Sequence, residues 1–415
     1  MHPFTLLFLA LLIAGLGLRL WLLGRQIRAV DAHRQRVPAV FSDAVSPAQH
    51  EKAAAYTIEL ARFSSVHAVF DAGVLLLFTI AGGIATIDSA VAATGLGDLS
   101  RGVAVIAIVA LALTVLDLPF SVWRTFRIEA RFGFNHTTPA LYAVDHLKGL
   151  TIAALILGPL TALLLWLFGR AGADWWWWGW SVWAAFSMMM SWAWPRLIAP
   201  LFNKFHEMPE GDTRAAVIEL ARRCGFEPRG IMVMDGSRRS AHGNAYFTGL
   251  GRSKRIVLFD TLLAALEAGE VEAVLAHELG HYRLRHVAWR IGWSLATSFG
   301  GFALLAWLAG QEWFQPALGV AAGGPHTLFL LFVLAAPVFL LPIGPLAAWL
   351  SRRHEYAADA FAAQHADPAA LSSALVKLHR DNATTLTPDP VYSAFHASHP
   401  PAIQRIGRLA AQTSG

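Results

Sequence analysis

The sequence predicts a polytopic α-helical membrane protein with a polar α+β unit set between its fifth and sixth spans. Three observations carry this. The 415 residues are 55% hydrophobic and only 15% charged, with a mean hydropathy of +0.47, too apolar for a soluble protein of two or three domains. Seven apolar stretches approach the roughly 20 residues that a helix needs to cross a bilayer. Residues 195–290 break that pattern with a block rich in Arg and Glu, long enough to fold as a unit.

In chain order, the predicted spans are Phe4–Gly24, Val66–Ile87, Val103–Trp123, Leu150–Phe168, Trp176–Trp194, Ile291–Leu308 and Leu328–Leu350. The first lacks a basic leader and a small-residue cleavage site before Arg25, and so reads as a retained span rather than a signal peptide. The chain divides into residues 1–194 with spans one to five, the polar block 195–290, residues 291–350 with spans six and seven, and a tail 351–415.

Charge orients the spans. The loop after span one carries Arg25, Arg28, Arg34, Arg36, Lys52 and Arg62, and the loop after span three carries Arg124, Arg127 and Arg131. The alternate connections are nearly bare, so these basic loops, the polar block and the tail belong in the cytoplasm. Trp175–Trp178, with Trp180 and Trp183, reads as an interfacial aromatic belt at the outer end of span five. The net charge of +5 comes without a basic run interleaved with aromatics, which sets nucleic acid aside. The single cysteine, Cys224, excludes an internal disulfide framework and a cysteine-ligated metal, and reads as a packing residue.

Within the polar block, Asp212–Cys224 has helical periodicity. Gly230–Met234, Ala245–Gly249 and Arg255–Leu258 are short and β-prone, and Thr261–Gly269 and Glu270–His286 read as helices. The last of these contains His277-Glu278-Leu279-Gly280-His281. Residues four apart share a helix face, so His277 and His281 can hold one zinc ion while Glu278, beside them, takes a proton from water. Strands leading into such a helix suggest a zincin-like metallopeptidase domain whose edge strand pairs with an extended peptide, which makes Asn244-Ala245-Tyr246-Phe247 a candidate ledge; a purely structural strand fits the pattern equally well.

A catalytic zinc takes three protein ligands, so another helix must supply one. Glu355, in Ser351-Arg352-Arg353-His354-Glu355-Tyr356-Ala357-Ala358-Asp359, is the best candidate. Asp359, four residues on, then accepts a hydrogen bond from the far nitrogen of a ligand histidine. The competing reading is an exposed helix with scattered charges. His354, adjacent to Glu355, points elsewhere, and His286 falls on the far side of its helix from His277; both are expected to be non-ligands.

The chain resembles the type I CAAX prenyl endopeptidases, membrane zinc metallopeptidases with seven transmembrane helices. The resemblance rests on Arg131-Phe132-Gly133-Phe134-Asn135 with Asp145 and Lys148, Pro200-Leu201-Phe202-Asn203-Lys204-Phe205, His242-Gly243-Asn244-Ala245-Tyr246-Phe247, the HExxH segment, Arg353-His354-Glu355-Tyr356-Ala357-Ala358-Asp359 and Ser398-His399-Pro400-Pro401. HExxH is shared by many peptidases, whereas the set in this order is specific.

The resemblance implies one zinc on His277, His281 and Glu355, with Glu278 as general base and then acid and Asp359 supporting the ligands. It implies that His399 and Arg405 steady the oxyanion, and that Gly243, Asn244, Ala245 and Tyr246 align the substrate. It also implies that the spans enclose a water-filled chamber, giving His67, Asp71 and Asp117 a wet lining, unless they lie at helix ends or pair with one another. The implied partners are the bilayer and a peptide or protein substrate, lipidated or membrane-bound, trimmed of its C-terminal tripeptide.

Gly243 stands where eukaryotic members often have Ser, and with the compact loops and high Ala and Trp content this suggests a bacterial inner-membrane protein with the catalytic site facing the cytoplasm; a eukaryotic member would reside in the endoplasmic reticulum. Two alternatives stay open. One is a quality-control protease of damaged membrane proteins using the same chemistry. The other is a metal-binding polytopic carrier, disfavoured because the metal residues fall in the polar block and a carrier has no use for Glu278 beside His277.

Overall fold

The computed structural model describes residues 1–226, 230–248, 255–321 and 323–413. The membrane part is built from α1 (Pro3–His33), α2 (Pro47–Phe78), the short apolar α3 (Gly83–Ala92), α4 (Asp98–Trp123, continued by a π-helical turn to Glu129), α5 (Pro139–Arg170) and α6 (Trp175–Ala193). Six helices are long and apolar enough to span a membrane among the described residues, and the 19-residue, tryptophan-rich α6 adds the fifth predicted span. Span two differs from its prediction: α2 starts nineteen residues earlier and ends at Phe78, and the left-handed Gly82 (φ 79°) starts α3 as a separate helix. The basic residues Lys52 and Arg62 therefore lie on α2 itself.

After a short α7 (Ala199–Phe202) come β1 (Phe205–Glu207), which the sequence reading missed, α8 (Asp212–Arg223), β2 (Ile231–Met234), β3 (Ala245–Thr248), β4 (Arg255–Phe259), α9 (Asp260–Ala265) and α10 (Ala268–Arg283). Gly249, the predicted end of β3, lies outside the described residues. The sheet order is β1-β2-β4-β3, with β2 and β4 parallel and both outer pairs antiparallel, so β3 is an edge strand. α11 (His286–Ala309), α12 (Phe314–Ala317) and α13 (Pro325–Leu340) follow. A 3₁₀ turn containing Pro342 then breaks the seventh span before α14 (Gly344–His365) carries it on as one helix into the polar part. α15 (Pro368–Asp381), α16 (Pro390–His396) and α17 (Ala402–Thr413) complete the chain.

Two cores hold this together, one at each end. The far core joins Phe8, Phe78, Val105, Val109, Trp175, Leu305, Leu328 and Leu331 from α1, α2, α4, α6, α11 and α13. Trp175 is buried there against Phe168 and Phe329, so it is a packing residue, while Trp177 and Trp178 are exposed as a belt requires. The second core seals the sheet against α8, α10, α14, α15 and α17 through Leu220, Phe226, Ile256, Leu258, Leu275, Leu279, Ala362 and Leu375. Between the two, the spans are nearly unpacked. No residue of α4 between Val109 and Ile128 is buried, none of α5 before Leu165, and none of α11 between His286 and Leu305. The chain exposes 21436 Å², against about 16,000 Å² for a compact monomer of its mass. A bundle joined at its ends and open between them accounts for the difference. Hydrocarbon would not tolerate the charged residues along that stretch, which instead meet one another: His67 Nε2 lies 2.8 Å from Asp117 and 3.2 Å from Asp71, and Arg19 lies 3.9 Å from Asp71.

At the far end a buried polar knot ties three helices. Asp88 on α3 accepts from Arg101 of α4 at 2.8 and 2.7 Å and meets His326 Nε2 of α13 at 2.8 Å. Removing one member leaves charge stranded in an apolar setting, which costs about 3–5 kcal/mol. Asp88→Ala is therefore expected to lower the thermal unfolding midpoint of the detergent-solubilised protein markedly, and an unchanged midpoint would refute the role given to this knot.

Candidate metal centre and substrate edge

The site begins with a helix start. Glu267 and Glu270 form a reciprocal capping box that fixes the first turn of α10, with Lys377 of α15 against Glu270 at 2.8 Å. The helix then buries Val271, Leu275 and Leu279 in the polar core, which turns His277 and His281 toward α14. The two helices approach closely at Gly280. A β-carbon there would sit 3.1 Å from Ala358 Cα, 3.2 Å from the Ala358 carbonyl and 3.1 Å from Phe361 Cβ, so any larger residue would press the two backbones apart.

That approach brings Glu355 to the histidines. His281 Nε2 lies 3.2 Å from Glu355 Oε1 and 3.2 Å from His277 Nε2, and His277 Nε2 lies 3.5 Å from Glu355 Oε2. The three donor atoms fall within 4.8 Å of one another, and this is the one such His/Cys/Asp/Glu group among the described residues. Two nitrogens and a carboxylate, with each histidine held from behind, suit a transition-metal ion with a position left open for reactants. His277 Nδ1 is 2.9 Å from Asp359, leaving Nε2 aimed inward. Burial would push the His277 imidazole down, but hydrogen bonds to Asp359 and Glu355 outweigh burial and the repulsion of Arg405, raising its pKa to about 9. The field that draws a proton onto His277 would equally favour a divalent cation.

His281 has a support that the sequence reading placed on the wrong side. α10 ends at Arg283, Arg285 takes a left-handed conformation (φ 58°), and the chain folds back so that His286 Nδ1 lies 3.0 Å from His281 Nδ1. A non-glycine residue in that conformation costs about 1–2 kcal/mol. His286 is buried and stacks on His354 with ring centres 4.1 Å apart, so neither is in the ligand group and both back it. Periodicity extrapolates a helix through position 286 and cannot see a reversal made by a strained backbone.

Arg405 is buried. Its guanidinium donates to both Asp359 oxygens at 2.8 and 2.6 Å and lies 3.7 Å from Glu355, behind the ligands. His399, 68% exposed at its side chain, holds Glu355 Oε2 through Nδ1 at 2.7 Å. The segment before it is fastened twice: Asp389 caps α16 and takes two bonds from Arg25 of α1, and Arg352 donates to the Ser393 and Ala397 carbonyls. The Asp389-Pro390 pair is an N-terminal helix signal that sequence could have offered; its bond to Arg25, 364 residues away, is not. Glu278 is half-buried, with no hydrogen-bond partner among the described residues.

β3 packs against α10, and among the described residues its outer edge has no strand partner. Asn244 leads into it, its carbonyl accepting from Phe259 N at 3.0 Å. Gly243 has a local reason: a β-carbon would lie 3.3 Å from Leu262 Cα of α9. Ala245 points into the polar core, and Tyr246 is partly buried against Phe259.

Comparison with known proteins agrees with this architecture. Residues 26–204 match the family model for the CAAX prenyl protease N-terminal region with five membrane helices, and residues 207–413 match that of peptidase family M48. A CAAX prenyl protease 1 homologue from Arabidopsis thaliana is 32% identical over 385 residues, 89% of each chain. One from Mus musculus is 31% identical over 97% of this chain and 95% of its own. The crystal structure of S. mikatae Ste24p superposes with a TM-score of 0.90 at 30% identity, covering 99% of each chain.

The close approach at Gly280 makes a direct prediction. Gly280→Val should push α14 away from α10 and weaken metal binding roughly 10- to 100-fold, the range seen when the support of a ligand is disturbed. Competition with a chromogenic chelator measures it, and wild-type affinity would contradict the geometry.

Proposed function

The chain belongs to the CAAX prenyl protease 1 family of M48 peptidases, and from that premise we propose that its catalytic metal is zinc, held by His277, His281 and Glu355, and that its substrate is an extended peptide laid along β3. It is an integral-membrane metalloendopeptidase, which sets the carrier alternative aside. The observation that carries the finer reading is the convergence of three donor atoms from α10 and α14 beside β3, which among the described residues is an edge strand.

Held by His277, His281 and Glu355, a zinc ion would supply Lewis acidity for the scissile carbonyl and the attacking water. The protein's own groups do the rest. Glu278, beside the ligands and without a hydrogen-bond partner among the described residues, accepts the proton of the attacking water and passes it to the leaving amine, so one carboxylate serves as base and then acid. His399, fixed through Nδ1 by Glu355, presents its other nitrogen to the oxygen that gains charge during attack. Arg405, buried behind the ligands, donates to both Asp359 oxygens and stands 3.7 Å from Glu355, and its charge adds to the steadying of that oxygen. Main-chain pairing with β3 holds the peptide extended, with Gly243, Asn244, Ala245 and Tyr246 setting where it enters.

The substrate is a membrane-bound or lipidated protein end. Its reaction site is next to the bilayer, and the relatives are named for CAAX prenyl proteins. The basic residues at Arg25–Arg36 and Arg124–Arg131 support a catalytic part on the cytoplasmic side of the membrane.

Glu278→Gln separates metal binding from proton transfer. The variant should retain one metal per chain by elemental analysis while peptide cleavage in detergent falls about 10²–10⁴-fold, the share supplied by a positioned general base. Residual cleavage near the wild-type rate would remove Glu278 from the mechanism.

A further inference from the structure

The residue before the substrate strand has a set of partners that strand pairing does not require. The geometry points to His242 as a positioning residue that fixes the entry of the β3 edge to the membrane helices on one side and to the carboxyl-terminal helices on the other. This rests on the reading of β3 as the peptide ledge.

The ring meets three partners directly. Its face stacks on Phe134, ring centres 4.6 Å apart, in the connection between α4 and α5. Lys52 of α2 lies 5.1 Å from the centre of that same Phe134 ring. Nδ1 is 3.1 Å from Asn382 Oδ1 at the end of α15, and the Gly243 N–H also donates to that oxygen at 3.3 Å. Because the main-chain N–H can only donate, the atom it meets is the acceptor, and Nδ1 must carry a hydrogen to share it. Nε2 then stands 3.9 Å from Glu129 Oε2 at the end of the π-helical turn after α4. Glu129 also accepts from the Tyr56 hydroxyl of α2 at 2.9 and 2.8 Å and from Arg124 at 3.3 Å. Beside Asn382, Arg380 and Asp381 pair with each other.

The backbone at this point is fixed too. The His242 carbonyl accepts from Thr261 Oγ1 at 3.0 Å and its N–H donates to Ser240 Oγ at 3.2 Å. Just before it, Ala241 N bonds the Phe134 carbonyl and Arg239 forks onto Asp145 of α5. A strand that enters through such a joint holds a peptide at a set height over α10, and a shift at that point weakens its pairing with the peptide. The Glu129 carboxylate raises the His242 pKa above its ordinary value, against burial and Arg124. The imidazolium is therefore favoured over that of a free histidine, and its attraction to Glu129 is lost as pH rises through the raised pKa.

The test is steady-state cleavage of a reporter peptide by the full-length enzyme across pH 6–9, with an otherwise identical peptide N-methylated at the backbone positions facing β3. His242→Phe keeps the stack on Phe134 but loses both nitrogens. It should raise KM roughly tenfold, the upper worth of one hydrogen bond, and lower kcat much less. Glu129→Gln keeps the hydroxyl of Tyr56 bonded but removes the charge, so the alkaline rise of KM should move to lower pH. This second variant carries the test if His242→Phe does not fold. Wild-type KM profiles in both variants, with N-methylation still weakening binding, would overturn the role of His242 and leave the ledge standing. If N-methylation has no effect, the ledge reading fails and this inference falls with it.

Discussion

The site depends on one close contact between helices. Two histidines on α10 and a glutamate on α14 come from parts of the chain 74 residues apart, counted from His281 to Glu355, and they meet because Gly280 allows backbone to touch backbone at Ala358. Everything around that contact keeps it in place. Arg405 on α17 bridges Asp359 and approaches Glu355, Asp359 orients His277, and His286 orients His281. Buried charge at this density would destabilise a fold if any member were unpaired, and here each has a partner. The polar core of leucines and phenylalanines beneath α10 supplies the apolar burial that lets such a network exist.

The same principle shapes the membrane part in reverse. Few span residues are buried between the two ends, so burial is concentrated in the far apolar core with its Asp88 knot and in the sheet and helix core around the site. The mid-span residues His67, Asp71, Asp117 and Arg19 satisfy one another. The long α14 joins the two regimes, since it is both the end of the seventh span and the carrier of Glu355. A peptide bond can thus be cut beside a membrane without the ligands ever facing lipid.

Much of this was legible in residue pattern because it is local. His277 and His281 share a helix face by spacing alone, Glu355 and Asp359 likewise, and the spans follow from runs of apolar residues. What the pattern missed is made by backbone conformation or by distant pairing. Gly82 splits the second span, and Pro342 breaks the seventh. The left-handed Arg285 returns His286 to the site, contrary to helical extrapolation. Trp175 looks like its belt neighbours in sequence, yet it is buried because α5 and α13 meet at that depth. β1 is only three residues long and carries a histidine and a glutamate, so no alternation announces it. The edge position of β3 is a matter of sheet order, which no strand encodes by itself.

The central claim is that the β3 edge delivers a peptide to a metal on His277, His281 and Glu355. The most direct measurement is a crystal structure of the Glu278→Gln protein with an uncut peptide, with anomalous data collected at the zinc edge. The account predicts a single peak bounded by those three side chains and a peptide backbone paired with Ala245–Thr248. A peak on other ligands, or a peptide lying away from β3 with that edge still free, would contradict it.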